Sequence, residues 1–264
     1  MASAAERGED RAFSISSVLS MAFGVVQDNP VATFGIAFLF GALPQLVLRG
    51  VVFPMLAVPG AAVATAFTSI LAGLIAIFCS FLVQGALVRA TAAYARGERA
   101  SLGETLSAGV GKALPLLLLS ILMALGIGFG FLLLIVPGVI LAIMWSVAVP
   151  ALVDEDHGIT EALGRSSFLT SGARWRILGL GLVVMVLFWL LSIPLGILAV
   201  LTGAQMAQGD PESLFAISPI FLIASAVVTT LTSAIGGAVQ TSLFVALRDW
   251  KEGPQVESLA DVFA

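Results

Sequence analysis

Apolar residues run along this chain in long unbroken blocks rather than in alternation with polar ones. Six blocks approach or exceed the length of a bilayer crossing: Pro30 to Leu48, Ala61 to Val88, Ala113 to Val136, Gly138 to Val153, Arg176 to Val200 and Ser218 to Leu247. A transmembrane helix needs roughly 20 mostly apolar residues, whereas strands of a membrane barrel would alternate every second position. The pattern predicts an all-α integral membrane protein with six transmembrane helices. Pro137-Gly138 is a turn signal, so the third and fourth blocks are expected to form a tight hairpin around it.

The charges lie between the blocks. Arg7 and Arg11 precede the first; Arg89, Arg96, Arg99 and Lys112 separate the second from the third; Arg165, Arg174 and Arg176 separate the fourth from the fifth; Arg248 and Lys251 follow the sixth. Only Arg49 falls on the other side, where the loop carrying Asp210 and Glu212 has no base. Cytoplasmic loops carry the excess of Lys and Arg, so both termini are expected in the cytoplasm. The opening MASAAERGEDRAF lacks an apolar core before a small-residue cleavage site, and the first span is expected to act as an uncleaved signal.

Composition agrees, with 59% apolar and 11% charged residues in 264, against about 25% charged in a soluble domain. Cys79 is the chain's one cysteine, so no intramolecular disulfide forms; in mid-span it reads as a packing residue.

The segments Ser14 to Leu19, Ser101 to Leu106 and Gly158 to Leu163 align with one another. Each offers a helix start, with Ser101 and Glu104 as a capping box and Glu161 in the matching position of the third copy. Apolar or small residues then recur on one stripe, as in Ile15, Val18, Leu19 and Ala22, and again in Ile159, Ala162, Leu163 and Ser166. Such short amphipathic helices beside spans read as elbows lying in the membrane interface, with Phe168 off the stripe and facing the bundle. The outgoing spans repeat as well: Val83-Gln84-x-x-Leu87-x-x-Ala90-x-x-x-Tyr94 matches Val239-Gln240-x-x-Leu243-x-x-Ala246-x-x-x-Trp250. The expected organisation is a tail at 1–12, a membrane domain at 13–250 made of three elbow-plus-hairpin repeats (about 13–97, 101–156 and 158–250), and a tail at 251–264.

Few residues carry chemistry. Asp154, Glu155, Asp156, His157 and Glu161 are the densest polar cluster, but zinc or calcium ligand spacing is missing, and a charged linker with a helix cap is the favoured reading. Glu161 and Arg165 have the spacing of a helical ion pair. Gln84 and Gln240 are expected to face the bundle, because an amide in lipid needs a partner. With Thr229 and Ser233 they are the candidates for a polar bundle site, although interhelical hydrogen bonding is the favoured role for the two amides. Ser225, Thr229, Ser233, Gly237 and Thr241 form a small-residue stripe suited to close helix contact, as do Gly126 and Gly130. Pro44, Pro150 and Pro194 are expected to kink their spans. Tyr94, Trp175 and Trp250 suit the membrane boundary. No nucleophile with a base and no phosphate loop is found, so no catalytic residue, metal or cofactor is expected.

Pro137-Gly138, Pro150, Glu155, Gly158, Glu161-Ala162-Leu163, Arg165-Ser166, Leu169-Thr170, Gly172 and Trp175 together resemble the membrane domain attached to some bacterial glycerophosphoryl diester phosphodiesterases and its stand-alone relatives. Hydrolysis in that family belongs to a separate soluble barrel absent from this chain, so the resemblance implies a membrane domain whose matching residues are largely structural. It implies the bacterial inner membrane as location. The expected role is non-enzymatic: lipid handling, lipid sensing or support of a complex, with membrane lipids, a membrane protein or a second copy as partner and no nucleic acid. The alternative is a small-molecule or lipid transporter or channel.

Overall fold

Ser14 opens the first helix: its Oγ accepts the Ser17 N–H at 3.1 Å, and α1 runs over Ile15–Asp28. The structure, a computed structural model, describes residues 14–28, 30–48, 50, 62–95, 103, 111–155, 157–206 and 219–253, the side chains at 62–66, 68, 69, 89–95 and 202–206 excepted. The remaining helices are α2 (Pro30–Ile36), a π-helical segment (Ala37–Ala42), α3 (Leu43–Val47), α4 (Ala62–Ala95), α5 (Ala113–Leu133), α6 (Ile135–Met144), α7 (Ala148–Asp154), α8 (Ile159–Thr170), α9 (Arg174–Met206) and α10 (Pro219–Glu252). Six stretches of them are long and apolar enough to cross a membrane: Pro30–Val47, Ile70–Val88, Ala113–Leu133, Ile135–Asp154, Arg174–Leu201 and Pro219–Glu252. The protein is a multi-pass membrane protein.

Two of these spans are irregular, and a proline explains each. Pro44 has no N–H and its ring crowds the carbonyl of Phe40, one turn back. The turn before it is widened, with the Leu43 N–H reaching back to Phe38 O. The fourth span breaks at Trp145–Val147 between α6 and α7. Pro150 then falls in the first turn of α7, and its missing N–H leaves the Ser146 carbonyl, four residues back, without a helical donor.

The expected hairpin forms, but its turn differs. The chain reverses at Leu134, whose φ of −164° and ψ of 154° are extended, and Pro137-Gly138 lies inside the first turn of α6. Proline is tolerated there because the first N–H groups of a helix have no intrahelical partner. α5 and α6 then pack closely: a Cβ on Gly130 would stand 3.0 Å from Gly138 Cα.

α10 is the central helix, packed on α1, α4, α9 and the first span. The core lies toward the end of the bundle that carries Asp154, Arg165 and Arg248, which we call the charged end. There α4 buries Leu82, Val83 and Leu87, α5 buries Leu116 and Leu119, α7 is buried from Ala148 to Val153, and α10 buries Leu243, Phe244 and Leu247. α9 is peripheral, with Trp189 and Leu190 exposed on a broad apolar face.

The stripes that read as interfacial are turned onto the bundle. Val18, Ala22 and Val25 of α1 are buried, as are Ala162, Ser166 and Leu169 of α8, the latter against α7 and α10. Phe168 does not face the bundle: it is 53% exposed, with the Arg165 and Lys251 cations over its ring. The Ser101 to Leu106 elbow apart from Gly103, the side chains of Arg89 and Tyr94, and Arg7, Arg11, Arg49, Arg96, Arg99, Asp156, Asp210 and Glu212 lie outside the described residues.

Candidate functional site

A cavity of about 480 Å³ opens between the first, second and sixth spans, away from the charged end. Small residues create it. α4 contributes Ala72, Gly73, Ala76 and Ser80, and α10 contributes Ser225, Ala226, Thr229 and Ser233; the first span supplies Gly41, Ala42, Gln45 and Leu46. Stripes of this kind usually let helices touch. Here they leave a space, and the helices close beneath it, where Ala37, Val83, Leu87 and Ala234 lie in one buried cluster. Gly41, inside the widened turn, seals the edge: a Cβ there would lie 2.8 Å from Ser233 Oγ.

The polar groups in this cavity are unevenly used. Ser80 Oγ donates to Ile77 O at 2.7 Å and Ser225 Oγ donates to Leu222 O at 2.8 Å, so both hydroxyl protons are spent on their own helices. The side chains of Gln45, Thr229 and Ser233 have no hydrogen-bond partner among the described residues. In a membrane interior such groups would need a partner other than bulk water. A volume of 480 Å³ lies within the usual range of small-molecule sites.

The four residues expected to make one polar site are divided. Thr229 and Ser233 line the cavity, whereas Gln84 and Gln240 do not. Gln84 sits one turn beyond Ser80, its Oε1 buried without a partner among the described residues. Gln240 serves the break in the fourth span, where its Nε2 donates to Ser146 O. That carbonyl would ordinarily pair with the N–H at position 150, which proline lacks. Ser166 of α8 completes the repair: its Oγ accepts the Val147 N–H at 3.2 Å and donates to Met144 O at 2.7 Å. Gln45, Ser80 and Gly41 carried no expectation; polarity inside an apolar run was the signal for Gln45 and Ser80, and Gly41 had none.

The charged end is a clamp. Arg165 Nε and Nη2 donate to the two Glu155 oxygens at 2.7 Å each, and Nη1 donates to Glu252 Oε1 at 2.5 Å. Arg165 therefore ties α8 to the ends of the fourth and sixth spans rather than pairing with Glu161. The Glu155 and then the Glu252 carboxylates, accepting these bonds, hold its guanidinium above the ordinary range. Arg248 donates to Asp154 Oδ2 at 2.6 Å. Glu161 accepts the Gly158 N–H at 3.1 Å and caps α8. His157 Nε2 lies 3.0 Å from Glu155 Oε2, a carboxylate already engaged by Arg165. Among the described residues no group of three His, Cys, Asp or Glu side chains is placed to hold a metal ion. Pro150 is buried and Trp175 is 86% exposed at the charged end.

Residues 108–247, more than half of the chain, match a family model described as a domain of unknown function, DUF7847. The chain belongs to this family. No curated protein and no solved structure matches it. The DUF7847 segment contains the fourth-span break with Ser166 and Gln240, and the α10 wall of the cavity; the first two spans, which supply the other walls, precede it.

Proposed function

We propose that this DUF7847 protein is a non-enzymatic, multi-pass protein of a bacterial inner membrane that handles or senses lipid by holding part of a lipid molecule within its bundle. The observation that carries this reading is the cavity between the first, second and sixth spans, with Gln45, Thr229 and Ser233 unpaired around it. Polar groups facing an internal space at membrane depth favour an occupant that brings hydrogen bonds. In this reading the charged end is cytoplasmic, as the Lys and Arg distribution favours. α1 and α8 are the first and third elbows of a three-fold repeat, joined to the bundle by their buried stripes and, in α8, by Arg165. The likeness of Pro137 to Trp175 to the phosphodiesterase membrane domain fits a role beside lipid without implying hydrolysis. The apolar face of α9 is available to lipid, a membrane protein partner or a second copy.

The test is the lipid content of protein extracted with its surrounding membrane into polymer discs. Wild type should retain a lipid species enriched over the bulk membrane, and Ala76→Leu, which fills the cavity, should lose that enrichment. Equal, bulk-like lipid in both would remove the reading.

Lipid transport is the second reading, favoured by the irregular first and fourth spans, since discontinuous helices line many transport sites. Movement of a fluorescent lipid between leaflets of proteoliposomes, no faster than in protein-free vesicles, would exclude it.

A further inference from the structure

A second hollow lies against the cavity. It has a volume of about 470 Å³ and is walled by Phe34 and Phe38 of the first span and by Val227 and Leu231 of α10. Leu46 and Ala226 line both spaces, so they form a thin seam between an apolar groove and a polar chamber. The one hydroxyl in the groove, Thr230 Oγ1, donates to Ala226 O at 2.8 Å and is turned into its own helix. A chamber with polar groups on part of its wall, adjoining a groove that is almost wholly apolar, has the shape of an amphiphile, head in one and chain in the other.

The chamber's chemistry narrows the head. Its described lining contains no Lys, Arg, His, Asp or Glu. A phosphate there would be desolvated without a countercharge, and an ammonium would meet no carboxylate; both are costly. Ser80 and Ser225 offer only lone pairs, because their protons are already donated. The free groups are an amide and two hydroxyls, on Gln45, Thr229 and Ser233. Those three side chains offer four N–H and O–H donors, and all five polar side chains offer oxygen lone pairs, so an uncharged group that both donates and accepts, as a hydroxyl does, fits the chamber.

We propose that the cavity takes the uncharged, hydroxyl-bearing head of an amphiphile whose chain lies in the Phe34–Phe38 groove and which enters sideways from the lipid past Leu46 and Ala226. This rests on the reading that the bundle handles lipid. The chamber's 480 Å³ equals roughly fifteen water volumes at about 30 Å³ each, room for a polyol head.

The experiment uses the full chain in vesicles of phosphatidylethanolamine and phosphatidylglycerol. They contain a trace of either a monoacylglycerol or a phosphatidic acid, each with the same photoreactive acyl chain, and adducts are mapped by peptide mass spectrometry. The monoacylglycerol should label the groove around Phe38 and Val227 above Val186, an exposed reference on α9. Labelling should fall about tenfold in T229V/S233A, the loss expected for one to two hydrogen bonds, and stay unchanged in T232V, which lines neither space and whose hydroxyl donates to Val228 O of its own helix. Should the double variant fail to fold, Ala226→Leu, which plugs the seam, should give the same loss. Equal groove labelling by phosphatidic acid, or labelling indifferent to T229V/S233A and to Ala226→Leu, would overturn the uncharged-head inference while leaving lipid binding intact. Groove labelling by neither probe above Val186 would overturn both.

Discussion

Gln240 supplies in space the donor that Pro150 removes in sequence: its side-chain amide donates to the Ser146 carbonyl, whose helical partner would have been the N–H of residue 150. The pair makes a broken fourth span tolerable inside a membrane, where an unpaired carbonyl has no water to turn to. Gln240→Leu should lower stability by about 1–2 kcal/mol, within the range of buried membrane hydrogen bonds. Pro150→Ala in the same chain should recover part of that loss by restoring the backbone donor. A thermal-unfolding double-mutant cycle reads the coupling; additive losses would contradict the link between the two residues.

Ser166 satisfies two backbone groups of the break with one hydroxyl. Ser166→Ala should therefore cost about 1–3 kcal/mol, and Ser167→Ala, one position along α8, much less. Faster hydrogen exchange at the Val147 amide in Ser166→Ala is the local signature. Equal effects from the two serines would show that the break does not depend on this contact.

Arg165 holds two carboxylates in different spans, and only its planar fork can bind Glu155 through two nitrogens while a third reaches Glu252. Arg165→Lys should be nearly as damaging to thermal stability as Arg165→Met. Glu155→Gln should cost more than Glu252→Gln, because the Glu155 side chain is 16% exposed and that of Glu252 is 35% exposed. A fully conservative outcome for Arg165→Lys would reduce the clamp to a simple charge contact.

The α5–α6 hairpin depends on a close approach at Gly130, where a Cβ would stand 3.0 Å from Gly138 Cα and 3.1 Å from Gly138 N, backbone atoms that cannot swing aside. Gly130→Val should destabilise by about 1–3 kcal/mol through overpacking. Gly128→Ala, which meets nothing within 4 Å, should be neutral or mildly stabilising. Detergent-solubilised unfolding of the two variants separates these outcomes, and similar behaviour would place the close contact elsewhere.

The spans were legible because apolar length is itself the signature of a crossing. The first run read from Pro30 to Leu48 and the span is Pro30–Val47; the third read to Val136 and the helix ends at Leu133. The turn at Leu134 was not legible, since it is made of apolar residues and its proline belongs to the following helix. The cavity was half legible. Thr229 and Ser233 stood out as a polar stripe, but small residues that leave space have the same spacing as small residues that close it. Gln240 was recognised as a bonding amide, yet its partner depends on a proline in another span, a relationship no local pattern carries.

The proposed lipid site lies between the first, second and sixth spans. Native mass spectrometry of the protein released from lipid nanodiscs tests it most directly, comparing wild type with T229V/S233A and with Q84L/Q240L. Wild type, and whatever folded fraction of Q84L/Q240L remains, should carry a discrete bound lipid that T229V/S233A loses. Bulk lipid alone on wild type, or a bound species lost with Gln84 and Gln240 but kept without Thr229 and Ser233, would contradict it.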